Sequence, residues 1–142
     1  MFSKAKNPVT AYEFSDQFLR FWFYFIGPYQ SYIEQGELTL VREKIDEYYN
    51  SFTGRTLEQY FRALAMESGR YTLVGGWWSS KGRYEIDMIA LNEFDHTGIV
   101  AEIKRNSRKI SLTSLQDKVN VLPHQSFGDY TLSLLGLSLD DM

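Results

Sequence analysis

The sequence predicts a mixed α/β fold, and three observations predict it. Apolar residues recur at helical spacing as far as Gly69. From Tyr71 to Lys104 the period shortens to that of extended chain in three successive segments, and a helical stripe followed by one more extended run comes last. A chain of 142 residues is long enough to bury the core of one domain. The expected organisation is therefore a single domain, 1–142, with a helical N-terminal segment over 1–53 and an α/β core over 54–142.

Residues 1–11 read as a polar tail. Aromatic residues then crowd between Tyr12 and Tyr32. Ser15 or Asp16 caps a short helix whose Phe18, Leu19, Trp22, Phe25 and Ile26 fall at helical spacing. Phe21, Phe23 and Tyr24 lie on its other faces, which predicts a helix buried on several sides. The apolar run from Phe21 to Ile26 is far short of the roughly 20 residues a membrane span requires, and Gly27-Pro28 ends it, so a membrane reading is excluded. A second helix is expected from Leu40 to Tyr49, with Val41, Ile45 and Tyr48 or Tyr49 as its apolar stripe. Ser51 to Arg55 reads as a break. Thr56 then caps a third helix, which ends at Gly69 and buries Leu57, Tyr60, Phe61, Leu64 and Ser68.

Tyr71–Trp78, Arg83–Asn92 and Thr97–Lys104 read as strands, and three in succession predict an antiparallel meander. Leu112, Leu115, Val119 and Leu122 form a helical stripe, and after Pro123 a last strand is expected around Tyr130 to Leu135.

Composition narrows the function. A net charge of −3 excludes nucleic-acid binding by bulk electrostatics and demands a local basic patch instead. The absence of cysteine excludes disulfides, zinc ribbons, thiol nucleophiles and iron–sulfur ligation. No apolar leader with a small-residue cleavage site is visible, so a cytoplasmic location is expected. His96 and His124 lack metal-ligand spacing.

The strand containing Asp87 alternates so that Glu85 and Asp87 share one face and Ile86 and Met88 the other. In the next strand, residues up to Ala101 are apolar, after which Glu102 and Lys104 share a face. Hairpin pairing brings Asp87, Glu102 and Lys104 together near one end of the sheet. Two close carboxylates repel, and a hard divalent cation such as Mg²⁺ or Mn²⁺ relieves that repulsion. Lys104 beside them can orient or deprotonate a water and offset charge at a phosphate. That is the chemistry of phosphodiester hydrolysis. The same three residues also read as an ion-paired strand end, and Glu58 with Arg62 four residues on reads equally as a helix-surface salt bridge.

Asp87, then Glu102-Ile103-Lys104, with Glu58 on a preceding helix, resemble the signature of the PD-(D/E)xK nuclease superfamily. Its restriction endonuclease-like core runs helix, three-strand meander, helix, strand. The phrases AYEFSDQFLRFWFYFIGPYQSYIEQG, GGWWSSKGRYEIDMIAL and IVAEIKRN are similar to recurring features of the domain found C-terminal to the P-loop module of certain archaeal and bacterial ATPases, and the resemblance covers nearly the whole chain. It implies Asp87 and Glu102 as ligands of Mg²⁺ or Mn²⁺, with the Ile103 carbonyl a third. It implies Lys104 as the catalytic lysine, Glu58 as a carboxylate adjusting the metal or its waters, and Gln116 or Lys118 as an accessory polar residue. The motif's proline is Ile86 here. The chain has no G-x-x-x-x-G-K-[ST] loop, so ATP binding is not expected of it, and the resemblance implies a P-loop ATPase domain in the parent protein.

The run from Lys104 to Lys109 carries four positive charges and no negative one. Arg105, Arg108 and Lys109 are thus candidates to track a nucleic-acid backbone, or form a solvated loop. Trp77-Trp78 and the aromatic cluster read as core or interface. The leading expectation is a nuclease-like domain with Mg²⁺-dependent phosphodiester hydrolysis or DNA binding. The alternative is a non-catalytic interaction module that docks on an ATPase domain or a second copy through its aromatic helices.

Overall fold

The computed structural model describes residues 15–80 and 82–142, and the tail expected over 1–11 lies outside them. The described residues fall into two compact units, 15–56 and 57–142, divided between Thr56 and Leu57.

In the first unit Asp16 opens helix α1 (Gln17–Phe21), its carboxylate accepting the Leu19 amide at 2.9 Å. A π-helical turn (Trp22–Ile26), a 3-10 turn carrying Pro28 (Gly27–Tyr29) and α2 (Gln30–Glu34) follow. Gly36, at φ +81°, lets the chain turn into α3, which runs without interruption from Leu38 to Glu67. Phe25 is 1% exposed and packs its ring against Phe21, Tyr24 and Phe52 at 5.1, 4.8 and 5.2 Å between centroids. Arg20, also buried, lies over the Phe52 ring and donates to Gln17 and Thr56.

The aromatic segment is not buried on several sides as its composition predicts. Phe18 and Phe23 are 68% and 55% exposed, and Trp22 and Tyr24 are also open. Four short helical pieces of different pitch turn few of the side chains inward, Phe25 and Arg20 among them. The expected break at Ser51 to Arg55 is likewise absent. Thr56 does not cap a new helix; its hydroxyl donates back to the Phe52 carbonyl at 3.1 Å, as Thr53 does to Tyr49 at 2.8 Å. Satisfied within the helix, these hydroxyls no longer compete with its backbone bonds.

The second unit is built on a four-stranded sheet of order β1 (Leu73–Trp78), β2 (Glu85–Asn92), β3 (Thr97–Ile103), β4 (Thr131–Leu137). The first three strands form the expected antiparallel meander, and β4 pairs parallel to β3 from Thr97–Thr131 to Ile103–Leu137. A parallel neighbour requires a crossover, supplied by α4 (Leu112–Asn120) and α5 (His124–Phe127). Ser111 caps α4 by accepting the Ser114 amide.

Both faces of the sheet are covered. Leu57, Phe61 and Ala65, spaced four apart on the end of α3, pack on Met88, Ala90, Ala101 and Ile103. Trp77, Ile89, Val100, Leu115 and Phe127 form the core on the other face. Tyr60 and Leu64, expected to be buried, are exposed, because the contact stripe follows the i, i+4 row of Leu57 alone. Gly69, at φ +67°, ends α3 as the sequence suggests. Among the described residues, no helix is long and apolar enough to cross a membrane.

One irregularity shapes the end of the sheet that carries Asp87. Gly75 pairs with Ile89 but Trp77 pairs with Ile86, so Asp87 and Met88 together oppose Gly76 in a β-bulge. Ile86 therefore joins the Trp77 core while Met88 faces α3. The simple alternation that put Ile86 and Met88 on one face is corrected by this extra residue.

Candidate functional site

The bulge lies where β2 and β3 stop pairing. Met88 and Ala101 form the last rung of that ladder, and the next residues are Asp87 and Glu102, each 6% exposed. Instead of a further rung, Asp87 Oδ2 accepts the Ile103 amide at 2.8 Å. The same oxygen accepts Lys104 Nζ at 2.9 Å. Lys104 is held at its backbone by donation to the Leu137 carbonyl of β4.

Glu102 sits on the other side of that ammonium, with Oε1 3.9 Å from Lys104 Nζ and 3.3 Å from Lys118 Nζ. Its Oε2 accepts the Ser111 amide at 2.9 Å, which ties the carboxylate to the start of α4. The two buried anions are thus compensated by two lysines and two backbone amides, as buried charge requires.

From α3, Arg62 reaches the bulge. Its Nε donates to the Asp87 carbonyl at 2.9 Å, Nη2 donates to the same oxygen, and Nη2 also meets Glu58 Oε2 at 3.3 Å. Burial, then the charge of Asp87, pushes the Glu58 carboxyl up to about 7, against the opposing pull of Arg62. For Lys104, burial works to lower the pKa, but its hydrogen bond to Asp87 and the charges of Asp87, Glu102 and Glu58 outweigh it and raise the value. The Lys104 ammonium is therefore fully charged at neutral pH.

Glu58, Asp87, Glu102 and Lys104 are thus gathered in one unit, with the Ile103 backbone between the two charged strand-end residues. Lys118 joins them and Gln116 does not; the latter donates to Asn120 on the outer side of α4. Arg108 and Lys109 are exposed on a 3-10 turn (Ser107–Lys109) after the site, and Arg105 is half-buried just before it. His96 stacks edge-on against Tyr130 away from these residues. Ion pairs and the helical Glu58–Arg62 contact are both present. Arg62 and Ser111 were not singled out from sequence as members of this cluster. Gly75-Gly76 inside a strand was the available signal, since glycine there marks a bulge or a close approach.

Among the described residues, no group of three or more His, Asp or Glu side chains is arranged to hold a metal ion.

Residues 22–116 match the model of the DUF234 family, described as archaeal and bacterial proteins of unknown function. The chain belongs to the DUF234 family. The matched span of this DUF234 chain contains Glu58, Arg62, Asp87, Glu102 and Lys104. It is 32% identical over 107 residues to uncharacterized protein MJECL04 of Methanocaldococcus jannaschii, a stretch covering 70% of this chain and 24% of that protein. The DUF234 chain thus spans about a quarter of the length of this relative. No solved structure matches it.

Proposed function

We propose that the chain is a nuclease-like domain with a restriction endonuclease-like core, which engages nucleic acid and hydrolyses a phosphodiester bond with the help of Mg²⁺ or Mn²⁺. The observation that carries this reading is the meeting of two buried carboxylates, Asp87 and Glu102, around the Lys104 ammonium at 2.9 and 3.9 Å. Asp87 and Glu102 would hold the cation, with the Ile103 carbonyl as a further oxygen. The cation would supply Lewis-acid polarisation of the phosphate and a more acidic water.

The chain's own residues supply the rest. Lys104, charged at neutral pH, donates rather than accepts a proton. Its part is to orient the attacking water and offset the growing charge on the phosphoryl oxygens, and not to act as base. Glu58, titrating near neutrality, can take or return a proton at the edge of the cluster. Lys118 holds Glu102 in place. Arg105, Arg108 and Lys109 follow directly and suit the flanking backbone of a nucleic acid. A P-loop ATPase domain elsewhere in a longer parent protein remains part of this proposal.

The test is cleavage of plasmid and branched DNA with Mg²⁺ or Mn²⁺ by the wild type, Asp87→Asn and Lys104→Ala. Metal-dependent nicking by the wild type that both variants lose is the expected result. Nicking that survives in both variants, or none by the wild type, overturns the hydrolytic reading.

A second reading is favoured by the open aromatic side chains of the first unit, Phe18, Trp22, Phe23 and Tyr24. Such a patch suits an interaction module docking on an ATPase domain or a second copy of the chain. For that module, Lys104→Ala leaves partner binding unchanged.

A further inference from the structure

We propose that Arg62 is the positioning residue of the Asp87 cluster: its guanidinium, lodged over Gly76, pins the β2 bulge and thereby aims the Asp87 carboxylate at the Ile103 amide and Lys104. The inference rests on the reading of Asp87 as a site carboxylate but is tested apart from it.

Three observations meet at this point. The bulge disrupts the β1–β2 ladder at Asp87, and a locally disrupted ladder leaves backbone groups in need of outside partners. Arg62 answers with two donors, Nε and Nη2, on the one Asp87 carbonyl. A planar guanidinium can do this with a fixed orientation, whereas a lysine ammonium is a point charge with a single reach. The carbonyl and the side chain belong to the same residue and are separated by one backbone torsion, so holding the carbonyl restricts the direction in which Cβ leaves the strand.

Gly76 makes the arrangement possible. A Cβ at that position would lie 2.7 Å from Arg62 Nη2 and 3.3 Å from its Cζ, inside the space the guanidinium fills. An ordinary strand residue opposite the bulge would push the guanidinium off the carbonyl. Glu58 completes the seat, accepting from Nη2 at 3.3 Å on the same helix face. Arg62 thus differs from a surface tether: it joins the backbone carbonyl of Asp87 to the Glu58 carboxylate.

The experiment reads the Ile103 amide, because its proton is bonded to Asp87 Oδ2 and reports where that carboxylate points. Native-state hydrogen exchange is measured by NMR on the wild type, Arg62→Met, Arg62→Lys and Gly76→Ala. Thr72 and Thr131, whose amides donate to the Leu91 and His96 carbonyls at the far end of the same sheet, serve as internal controls. Ile103 protection is expected to fall at least about tenfold relative to those controls in Arg62→Met and Gly76→Ala, with partial recovery in Arg62→Lys. Gly76→Ala keeps the arginine and displaces it, so it decides the matter if Arg62→Met does not fold; if neither folds, Arg62→Lys does so by the same ratio to the controls. An Ile103 to control ratio unchanged in the folded variants overturns the proposal. DNA cleavage by the wild type is assayed in parallel: its absence sinks the hydrolytic reading and leaves the amide result standing.

Discussion

Lys104 serves two anions, and the consequences of removing it are specific. In Lys104→Met, Asp87 keeps the Ile103 amide but loses the ammonium bonded to its carboxylate, while Glu102 retains Lys118. Because Lys104 is partly exposed, we expect a loss of about 1–2 kcal/mol at pH 7, below the range for breaking a fully buried pair. Urea titration at pH 7 should show this deficit, and a variant as stable as the wild type would refute it. Glu58 carries a pH dependence of its own. Its folded pKa of about 7 lies above the ordinary 4.5, so its contribution is fully present below pH 4.5 and is lost as pH rises through 7. The wild type should lose on the order of 2–3 kcal/mol across that window relative to Glu58→Gln, which has no proton to release. A flat difference between the two would refute the perturbed carboxyl. At this scale the sequence was informative where period and charge agree: Glu102 and Lys104, two apart at a strand end, face Asp87 as expected. The choice between Gln116 and Lys118 stayed open in sequence. Helical phase decides it, because Lys118 follows the fully buried Leu115 by three residues and Gln116 by one.

Among the elements, α3 separates local preference from tertiary demand. Ser51, Thr53 and Gly54 are poor helix formers, and their clustering reads as a break. The helix continues because Phe52 is gripped by Phe21 and Phe25 and because the threonine hydroxyls are spent on the preceding turn. Gly54 has no packing reason to be glycine, since an added Cβ meets nothing within 4 Å. Gly54→Ala should therefore stabilise the protein by about 0.5–1 kcal/mol, seen as a raised melting temperature. A lowered one would show that the helix is interrupted there in solution. The strands were legible almost to their ends, because each alternates or runs apolar between turn residues. The bulge was not, because one extra residue leaves the composition of a strand unchanged and alters only its phase.

For the molecule as a whole, the open aromatic patch of the first unit predicts concentration-dependent self-association. Light scattering behind size-exclusion chromatography should show it weakened in Phe18→Ser with Phe23→Ser, at little cost to stability because both side chains are more than half exposed. An unchanged mass in the double variant would place the contact elsewhere. The position of β3 has a consequence of another kind, in the order of folding events. Its antiparallel partner β2 is joined to it through the tight turn at Glu93 to His96, whereas its parallel partner β4 arrives only after the whole α4–α5 crossover has been threaded. Closing the longer loop is the entropically slower step, so the hairpin should form first and β4 dock last. Lys104 takes its backbone anchor from Leu137. The charged cluster is then among the last parts of the chain to be assembled, and truncation of Leu134 to alanine should speed unfolding while leaving the refolding rate almost untouched.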